Sequence, residues 1–257
     1  MYAKKSLGQN FLMHARIAER IVMESGITEN DTVLEIGPGT GMLTTPLLAR
    51  ARKVIAVEAD ADLVEGLREK FAAEISAGKL ELTHADIRAF DPESIGEPYR
   101  LAANIPYYLT GEIIRDFLSA SAKPLSMTIL VQKEVAERIA RDEKGSILSI
   151  AVRVYGTPAY LFTVPRGAFN PAPSVDSAVL HVADIHDPFS STGVETRFFE
   201  VLKAGFAHKR KRLAKNLASV ASNDAIDAAF TALVLDTDAR AEEIPVATWV
   251  KLAQSLS

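Results

Sequence analysis

Short runs of apolar and β-branched residues alternate with amphipathic segments along the first 150 residues of the chain. The runs cover residues 32–36, 53–57, 80–83, 101–103 and 127–131. Continuous apolar runs of this kind are typical of strands that are buried on both faces of a parallel sheet. The segments around them predict helices over residues 14–25, 42–50, 61–74, 111–119 and 134–141. The alternation therefore predicts an α/β fold with helices on both faces of the sheet.

The pattern changes after Val152. Residues 159–164 and 177–182 predict two more strands, joined by a stretch with Gly and Pro into a hairpin-like closing pair. Residues 184–193 have the composition of a linker, and the sequence from Val194 onward is helical in pattern. We therefore predict two domains: residues 1–183, which contain the sheet, and residues 184–257, a small all-helical domain.

The composition narrows the classes of protein that remain possible. The chain has 257 residues, of which 48% are apolar and 24% are charged, and it contains no cysteine. Disulfides, zinc–thiolate sites, iron–sulfur clusters and cysteine nucleophiles are thus excluded, which fits a reducing compartment. The five histidines have no metal-ligand spacing, so no metal site is predicted. The longest uncharged stretch is too short to span a bilayer, and the N-terminus lacks the apolar segment of a secretory signal.

A glycine-rich turn follows the first predicted strand directly, in the motif EIGPGTG, which contains Gly37 and Gly39. Glycine permits a tight turn and lets a ligand approach the backbone closely. The acidic residue Glu58 ends the second strand, where it can accept hydrogen bonds from two ribose hydroxyls. Asp86 follows the third strand and could accept from the exocyclic amine of an adenine. Together these residues predict a site for an adenosine-containing cofactor.

A second motif, Asn-Ile-Pro-Tyr, follows the fourth predicted strand. The N6 amine of adenine is a poor nucleophile because its lone pair is delocalised into the ring. The side-chain oxygen of Asn104 and the main-chain carbonyl of Ile105 could accept both N–H bonds and localise that lone pair. Pro106 stiffens the turn and directs the carbonyl, and Tyr107 offers a face on which a base can stack. The motif predicts methylation of an adenine amine.

Positive charge is concentrated in residues 203–215, which include six Lys or Arg and no acidic residue. The net charge of the whole chain is −4, so bulk charge does not indicate a nucleic-acid partner. A local block without acidic residues is nevertheless an electrostatic footprint for phosphates. A solvated helix face is the alternative, but the lack of acidic residues favours RNA contact, because a salt-bridged face would pair its signs. We therefore predict that this block lies on a helix and contacts RNA. Its strongest run is Lys209, Arg210, Lys211 and Arg212, and one face of the helix would present about half of these four.

Read together, these motifs resemble a class I S-adenosylmethionine-dependent adenine-N6 methyltransferase. Three more segments narrow the resemblance to the small-subunit ribosomal RNA adenine dimethyltransferase family: KKSLGQNFL at residues 4–12, FNPAPSVDSA at 169–178 and KRKRLAKNL at 209–217. The resemblance covers nearly the whole chain. One departure is Ile105, where the family usually has leucine, and only its carbonyl is expected to act.

The resemblance implies a Rossmann-like, seven-stranded, mostly parallel sheet whose last strand is antiparallel. It also implies S-adenosylmethionine as the cofactor, S-adenosylhomocysteine as the product and no metal. The cofactor contacts that it implies are Asn10, Leu12, Gly37, Gly39, Glu58, Asp86 and Asn104. Phe169 would stack on the target base opposite Tyr107, although a core aromatic residue is an equal alternative, and Tyr108 is expected to pack.

The implied function is N6,N6-dimethylation of two adjacent adenosines in a loop near the 3′ end of 16S ribosomal RNA, during biogenesis of the small subunit. The implied partner is that RNA or the immature small subunit, without DNA or membrane, and a cytoplasmic monomer is expected. Three alternatives remain: a large-subunit rRNA adenine methyltransferase that confers macrolide resistance, a non-enzymatic RNA-binding assembly factor, and an NAD-dependent oxidoreductase. The GxGxG spacing and the absence of a hydride-transfer acid–base pair disfavour the last.

Overall fold

The structure, a computed structural model, describes residues 9–256. The chain forms two compact units. The first contains the residues up to Glu137 together with Thr157–Ile185, and the second contains Arg138–Gly156 together with the residues from His186 onward. This division differs from the predicted domains 1–183 and 184–257, because Arg138–Gly156 groups with the C-terminal helices.

The first unit is built on a seven-stranded sheet with the strand order β4-β3-β2-β5-β6-β9-β7. A separate two-stranded sheet pairs β1 with β8. The strands are β1 (Phe11–Leu12), β2 (Thr32–Ile36), β3 (Lys53–Glu58), β4 (Leu80–His84), β5 (Tyr99–Asn104), β6 (Met127–Gln132), β7 (Thr157–Val164), β8 (Phe169–Asn170) and β9 (Ser177–Ala183). Neighbours from β4 to β6 are parallel, whereas β9 runs antiparallel to both β6 and β7. The predicted mostly parallel sheet with an antiparallel last strand is confirmed.

Burial explains why the central strands were predictable. Every residue of β2 is buried. In β3 all residues except the first are buried, and in β6 all except the last. The helices that accompany these strands are α1 (Ala15–Glu24), α2 (Thr44–Arg50), α3 (Ala61–Lys70), α4 (Ala72–Ser76), α5 (Thr110–Ser119) and α6 (Lys133–Ala140). The first unit ends within α6, after Glu137. The helix predicted over 61–74 is interrupted at Phe71, whose backbone leaves the helical region while its side chain is buried.

The strand order reverses at β2, because the chain proceeds from β2 to β3 and β4 on one side and returns to β5 on the other. Parallel α/β sheets bind ligands at such a reversal, outside the carboxyl ends of the strands. Gly37 follows β2 directly, and Asn104 is the last residue of β5. The topology therefore brings the two sequence motifs to the same edge of the sheet.

The second unit is helical, with α7 (Ile147–Tyr155), α8 (Thr192–Gly205), α9 (Leu213–Leu217), α10 (Asn223–Ala232) and α11 (Val246–Ser255). Helix α7 was not predicted. It begins at Ser146, whose side chain forms a capping box with Ser149. It ends at Tyr155, whose ring centroid lies 5.7 Å from that of Phe189. This aromatic packing is the physical reason why α7 belongs with the C-terminal helices.

The basic block does not lie on one helix face, so that expectation is wrong. Helix α8 ends at Gly205 and α9 begins at Leu213, and residues 206–212 between them form a loop. Gly205, a weak helix former, ends α8 before the run of four cationic residues begins. All four of these side chains, from Lys209 to Arg212, are exposed.

Candidate active site

One pocket lies at the carboxyl edge of the sheet and is lined by all of the residues predicted to contact a cofactor, together with the first residues of the second motif. These residues are Asn10, Leu12, Gly37, Gly39, Glu58, Asp86, Asn104, Ile105 and Pro106. Tyr107 and Phe169 do not line the pocket. The segment that includes Lys4 and Lys5 lies outside the described residues.

The glycine turn leaves room for a ligand beside the backbone. Gly37 and Gly39 have φ angles of 65° and 60°, which side chains other than glycine rarely adopt. A Cβ atom added to Gly37 would lie 3.8 Å from the main-chain oxygen of Asn104, within the pocket that both residues line. The glycine turn and the second motif therefore lie next to each other at the pocket. The turn therefore fits the close approach of a cofactor that the sequence predicts.

Glu58 holds the glycine turn while it faces the pocket. Its Oε2 accepts a hydrogen bond from the backbone N–H of Gly39 at 3.0 Å, and its Oε1 accepts one from Asp60 at 3.0 Å. Burial raises the pKa of Glu58, and the backbone donors partly offset that effect. Each carboxylate oxygen has two lone pairs, so the carboxylate retains acceptor capacity for hydroxyl groups of a ribose.

Asp86 also lines the pocket and is paired with Arg88. The Nε atom and the backbone N–H of Arg88 both donate to Asp86 Oδ1 at 3.0 Å, and Nη2 donates to Oδ2. These bonds hold the pKa of Asp86 at about 2, so its carboxylate is ionised at neutral pH. Arg88 also lines the pocket. Arg88 was not predicted from the sequence, although its position two residues after Asp86 is where a side chain can turn back onto an aspartate.

Asn104 joins the N-terminal segment to the second motif. Its Nδ2 donates to the main-chain oxygen of Asn10 at 3.4 Å. Ile105 is buried, with 5% of its surface exposed, and this anchors the main chain at the point where its carbonyl is predicted to act. The arrangement can present the Asn104 Oδ1 atom and a backbone carbonyl to one amine.

The two tyrosines of the second motif differ in exposure. Tyr107 is half-buried, and its hydroxyl lies 2.7 Å from Ser177 Oγ. Burial raises the pKa of the Tyr107 phenol, and the bond to Ser177 lowers it. Tyr108 is 66% exposed and lines the pocket, so the expectation that it packs in the interior is wrong. The short 3₁₀ turn Tyr107–Leu109 directs the adjacent rings to different surroundings.

Phe169 is only 5% exposed and belongs to the apolar core between the sheet and α1. Its backbone pairs with Leu12 in the small sheet. The structure thus places Phe169 as a core aromatic residue, and stacking on a base stays a prediction for it.

Glu35 lies in the strand directly before the glycine turn and is 1% exposed. Neither of its carboxylate oxygens has a hydrogen-bond partner among the described residues. Burial raises the pKa of Glu35 to about 8, and the positive charge of Lys70 only partly offsets this effect. Burial therefore favours the protonated form of the acidic residue of the first motif.

Two further findings concern residues 9–256. No three His, Cys, Asp or Glu side chains in this range are arranged to hold a metal ion. None of its helices combines the length and the apolar character that a membrane crossing requires.

The chain resembles known proteins along its length. The family described as ribosomal RNA adenine dimethylase matches residues 1–257. A protein of Dehalococcoides mccartyi named ribosomal RNA small subunit methyltransferase A is 40% identical over 256 residues, covering 97% of this chain and 87% of its own. The protein of the same name from Fusobacterium nucleatum is 38% identical and covers 97% and 96%.

Solved structures support the same fold. The crystal structure of the 23S rRNA methyltransferase ErmE superimposes with a TM-score of 0.77 at 26% identity and covers 96% of this chain and 99% of its own. A dimethyladenosine transferase from Plasmodium falciparum gives a TM-score of 0.77 at 24% identity, covering 94% and 95%. The match over all residues and the identity to full-length relatives show that the chain belongs to the ribosomal RNA adenine dimethylase family.

Proposed function

We propose that this chain transfers methyl groups from S-adenosylmethionine to the N6 atoms of two adjacent adenosines in a loop near the 3′ end of 16S rRNA. The observation that carries the proposal is the shared pocket of the glycine turn and the second motif, in which Gly37 lies beside Asn104. A methyl donor against the turn and an amine at Asn104 would meet there.

The residues present fit this cofactor. S-adenosylmethionine supplies an electrophilic methyl group on its sulfonium sulfur. Glu58 would accept the ribose hydroxyls, because its carboxylate is directed into the pocket edge by two backbone donors. Asp86 would accept from the adenine amine, since it is ionised and lines the pocket. Asn10 and Leu12 would close the pocket at the methionyl end.

The second motif would activate the amine. Asn104 Oδ1 and the Ile105 carbonyl would each accept one N–H bond, which localises the lone pair on nitrogen and aligns it with the methyl group. Alignment of two reactants can supply much of the rate enhancement, so no strong general base is needed and the proton can leave after transfer. Tyr107 would stack on the base.

A loop is a suitable target because unpaired bases can leave the stack at little cost and enter a pocket. The exposed loop of residues 206–212 would contact RNA phosphates through Lys209, Arg210 and Lys211. Arg212 contributes less, because it forms an ion pair with Asp238 at 2.9 Å.

The named relatives favour the small subunit over the large one. The relatives named for the small subunit reach 40% identity, whereas the 23S rRNA methyltransferase ErmE is 26% identical. An immature small subunit as substrate would place the enzyme in the cytoplasm, where such particles are assembled. We propose that the enzyme acts as a monomer.

The test uses methyl-labelled cofactor with immature small subunits and, separately, with large subunits, each isolated from cells that lack the modification. We expect label in two adjacent adenosines of the small-subunit RNA near its 3′ end, mapped by primer extension. The Asn104→Ala variant serves as the control for contaminating activity. Label in large-subunit RNA alone, or equal label with the variant, would overturn the proposal.

A further inference from the structure

The loop between α8 and α9 is fixed at its beginning and its end. Within it, the backbone N–H of Lys211 donates to the oxygen of His208 at 3.0 Å. Just beyond it, the N–H of Leu213 donates to the oxygen of Ala239 at 2.8 Å. These bonds restrain the backbone around the exposed cationic residues, although the segment has no regular secondary structure.

Asn216 makes the remaining contacts that hold the loop. It lies in α9 and is only 4% exposed. Its Nδ2 donates to the oxygen of Gly205, the last residue of α8, at 2.6 Å, and to the oxygen of His208 at 3.1 Å. One side-chain amide thus connects the end of α8, the beginning of the loop and the helix that follows.

The other half of the same amide is unsatisfied. Asn216 Oδ1 is buried and has no hydrogen-bond partner among the described residues. A buried acceptor without a partner is unfavourable, and an apolar side chain of similar size would avoid that penalty. The presence of asparagine here therefore indicates that its two donated bonds have a function that outweighs the loss.

That function concerns the direction of the cationic side chains. Lys209, Arg210 and Lys211 are exposed and form no ion pair within the described part of the chain, whereas Arg212 is paired with Asp238. Like charges on neighbouring residues repel and favour a spread, disordered segment. The bonds of Asn216 restrain the backbone against such spreading and would keep the three side chains available to neighbouring phosphates.

We propose that Asn216 is a positioning residue for nucleic-acid binding, which holds the α8–α9 loop in the shape that presents Lys209, Arg210 and Lys211 to the RNA backbone. The inference rests on the proposed contact between this loop and RNA. Asn216 touches no substrate and acts only through the loop.

The experiment measures binding of a fluorescent RNA hairpin, whose loop holds two adjacent adenosines, over a series of salt concentrations. Two variants remove the donated bonds: Asn216→Asp keeps the shape but replaces the donors with acceptors, and Asn216→Leu also removes the buried acceptor. We expect each to lower RNA affinity about tenfold near 0.1 M salt and to reduce the slope of log K against log salt by about one to two. Melting temperature and cofactor affinity serve as controls for folding.

A coupling measurement separates a positioning role from a structural one. The reference is the triple variant Lys209→Gln, Arg210→Gln, Lys211→Gln. If Asn216 acts through these side chains, Asn216→Leu should cost nothing further in RNA affinity when added to the triple variant. Trypsin should also cut the loop of the Asn216 variants faster than that of the unmodified chain, because its backbone is released.

The outcomes are distinguishable. If the triple variant loses affinity while both folded Asn216 variants keep the salt slope of the unmodified chain, the positioning role is wrong and RNA binding by the loop stands. If the effects of Asn216→Leu and the triple variant add fully, Asn216 does not act through these cations and the inference is overturned. If the triple variant binds as tightly as the unmodified chain, the proposed RNA contact of the loop fails, and the inference fails with it.

Discussion

Asn104 Nδ2 donates to the main-chain oxygen of Asn10 at 3.4 Å, although the two residues are 94 positions apart in the sequence. The strand β1 follows Asn10 directly, and its pairing with β8 ties the N-terminal segment to the first unit. The bond turns the Asn104 nitrogen toward this segment and leaves Oδ1 with no hydrogen-bond partner among the described residues. The side chain is thereby oriented as an acceptor before a base arrives.

Asn104→Ala should lower the rate of methyl transfer about 100-fold, the effect typical of removing one preorganised hydrogen-bonding group from a transition state. RNA affinity should change little, because the acceptor matters most as the amine becomes nucleophilic. The measurement is single-turnover transfer at saturating cofactor, since Asn104 also lines the cofactor pocket. A rate near that of the unmodified chain would refute the proposed role.

Glu58→Gln should weaken S-adenosylmethionine binding about ten- to hundredfold, because it replaces a charged acceptor for two hydroxyls. In the unmodified chain, affinity should fall as the pH drops through the raised pKa of Glu58, since binding uses the ionised form. Calorimetry measures both effects. The control is Glu65→Gln, an exposed change on α3 that should leave affinity as it is. Equal affinity in the two variants would show that Glu58 does not bind the cofactor.

Gly37→Ala should reduce cofactor affinity more than it reduces stability. The new Cβ atom would make only ordinary contacts with the protein, the nearest at 3.8 Å. Because Gly37 lines the pocket, we expect the added methyl group to take space from the cofactor. Gly78→Ala is the matched control, because Gly78 has a φ angle of 70° and nothing within 4 Å of the added atom. Both variants place a side chain at a positive φ angle, so we expect the melting temperature to fall equally in both. Cofactor affinity should be lost only in Gly37→Ala. Loss of affinity in neither would contradict the placement of the cofactor.

The triple variant Lys209→Gln, Arg210→Gln, Lys211→Gln should reduce the slope of log K against log salt by about two, at roughly 0.7–0.9 per lost phosphate contact. Arg212→Gln, the matched single change, should alter the slope by much less because Arg212 is paired with Asp238. Cofactor affinity should be unchanged in both. Identical salt dependence in the triple variant and the unmodified chain would show that the loop is only a solvated surface.

The free energy of unfolding of Glu35→Gln, relative to that of the unmodified chain, should increase as the pH rises from about 5 to 8. The folded chain holds a proton on Glu35 up to a pKa of about 8, whereas the unfolded chain releases it near the ordinary value of 4.5. Between these values the unmodified chain loses stability with rising pH, by up to about 1.4 kcal/mol per pH unit, and the amide variant does not. Denaturant unfolding at several pH values measures the difference. Parallel curves would mean that Glu35 is already ionised in the folded chain.

The sequence by itself determined the architecture of the sheet and the position of the pocket. Strands such as β2 and β6 are covered on both faces, so each carries an uninterrupted apolar run that is visible without a structure. The motifs after β2 and β5 could be placed together because the carboxyl ends of parallel strands meet at one edge of a sheet.

Tertiary structure alone decided the assignment of α7. Its sequence, ILSIAVRVY, is largely apolar and rich in β-branched residues, so local propensity does not favour a helix over a strand. The helix is stabilised by the capping box at Ser146 and by packing of Tyr155 against Phe189 and Phe199. Those aromatic partners lie in the C-terminal part of the chain, which is why the predicted domain boundary omitted this segment.

The same division holds for the functional residues. The sequence determined that four cations stand together at residues 209–212, but only the fold decided that they occupy a loop and that Asp238 pairs with Arg212. It also decided that Tyr108 faces the pocket while Phe169 is buried. Local patterns record which residues leave water and where the backbone can turn. The partner that each side chain finds depends on segments far along the chain, and only their packing brings those segments into contact.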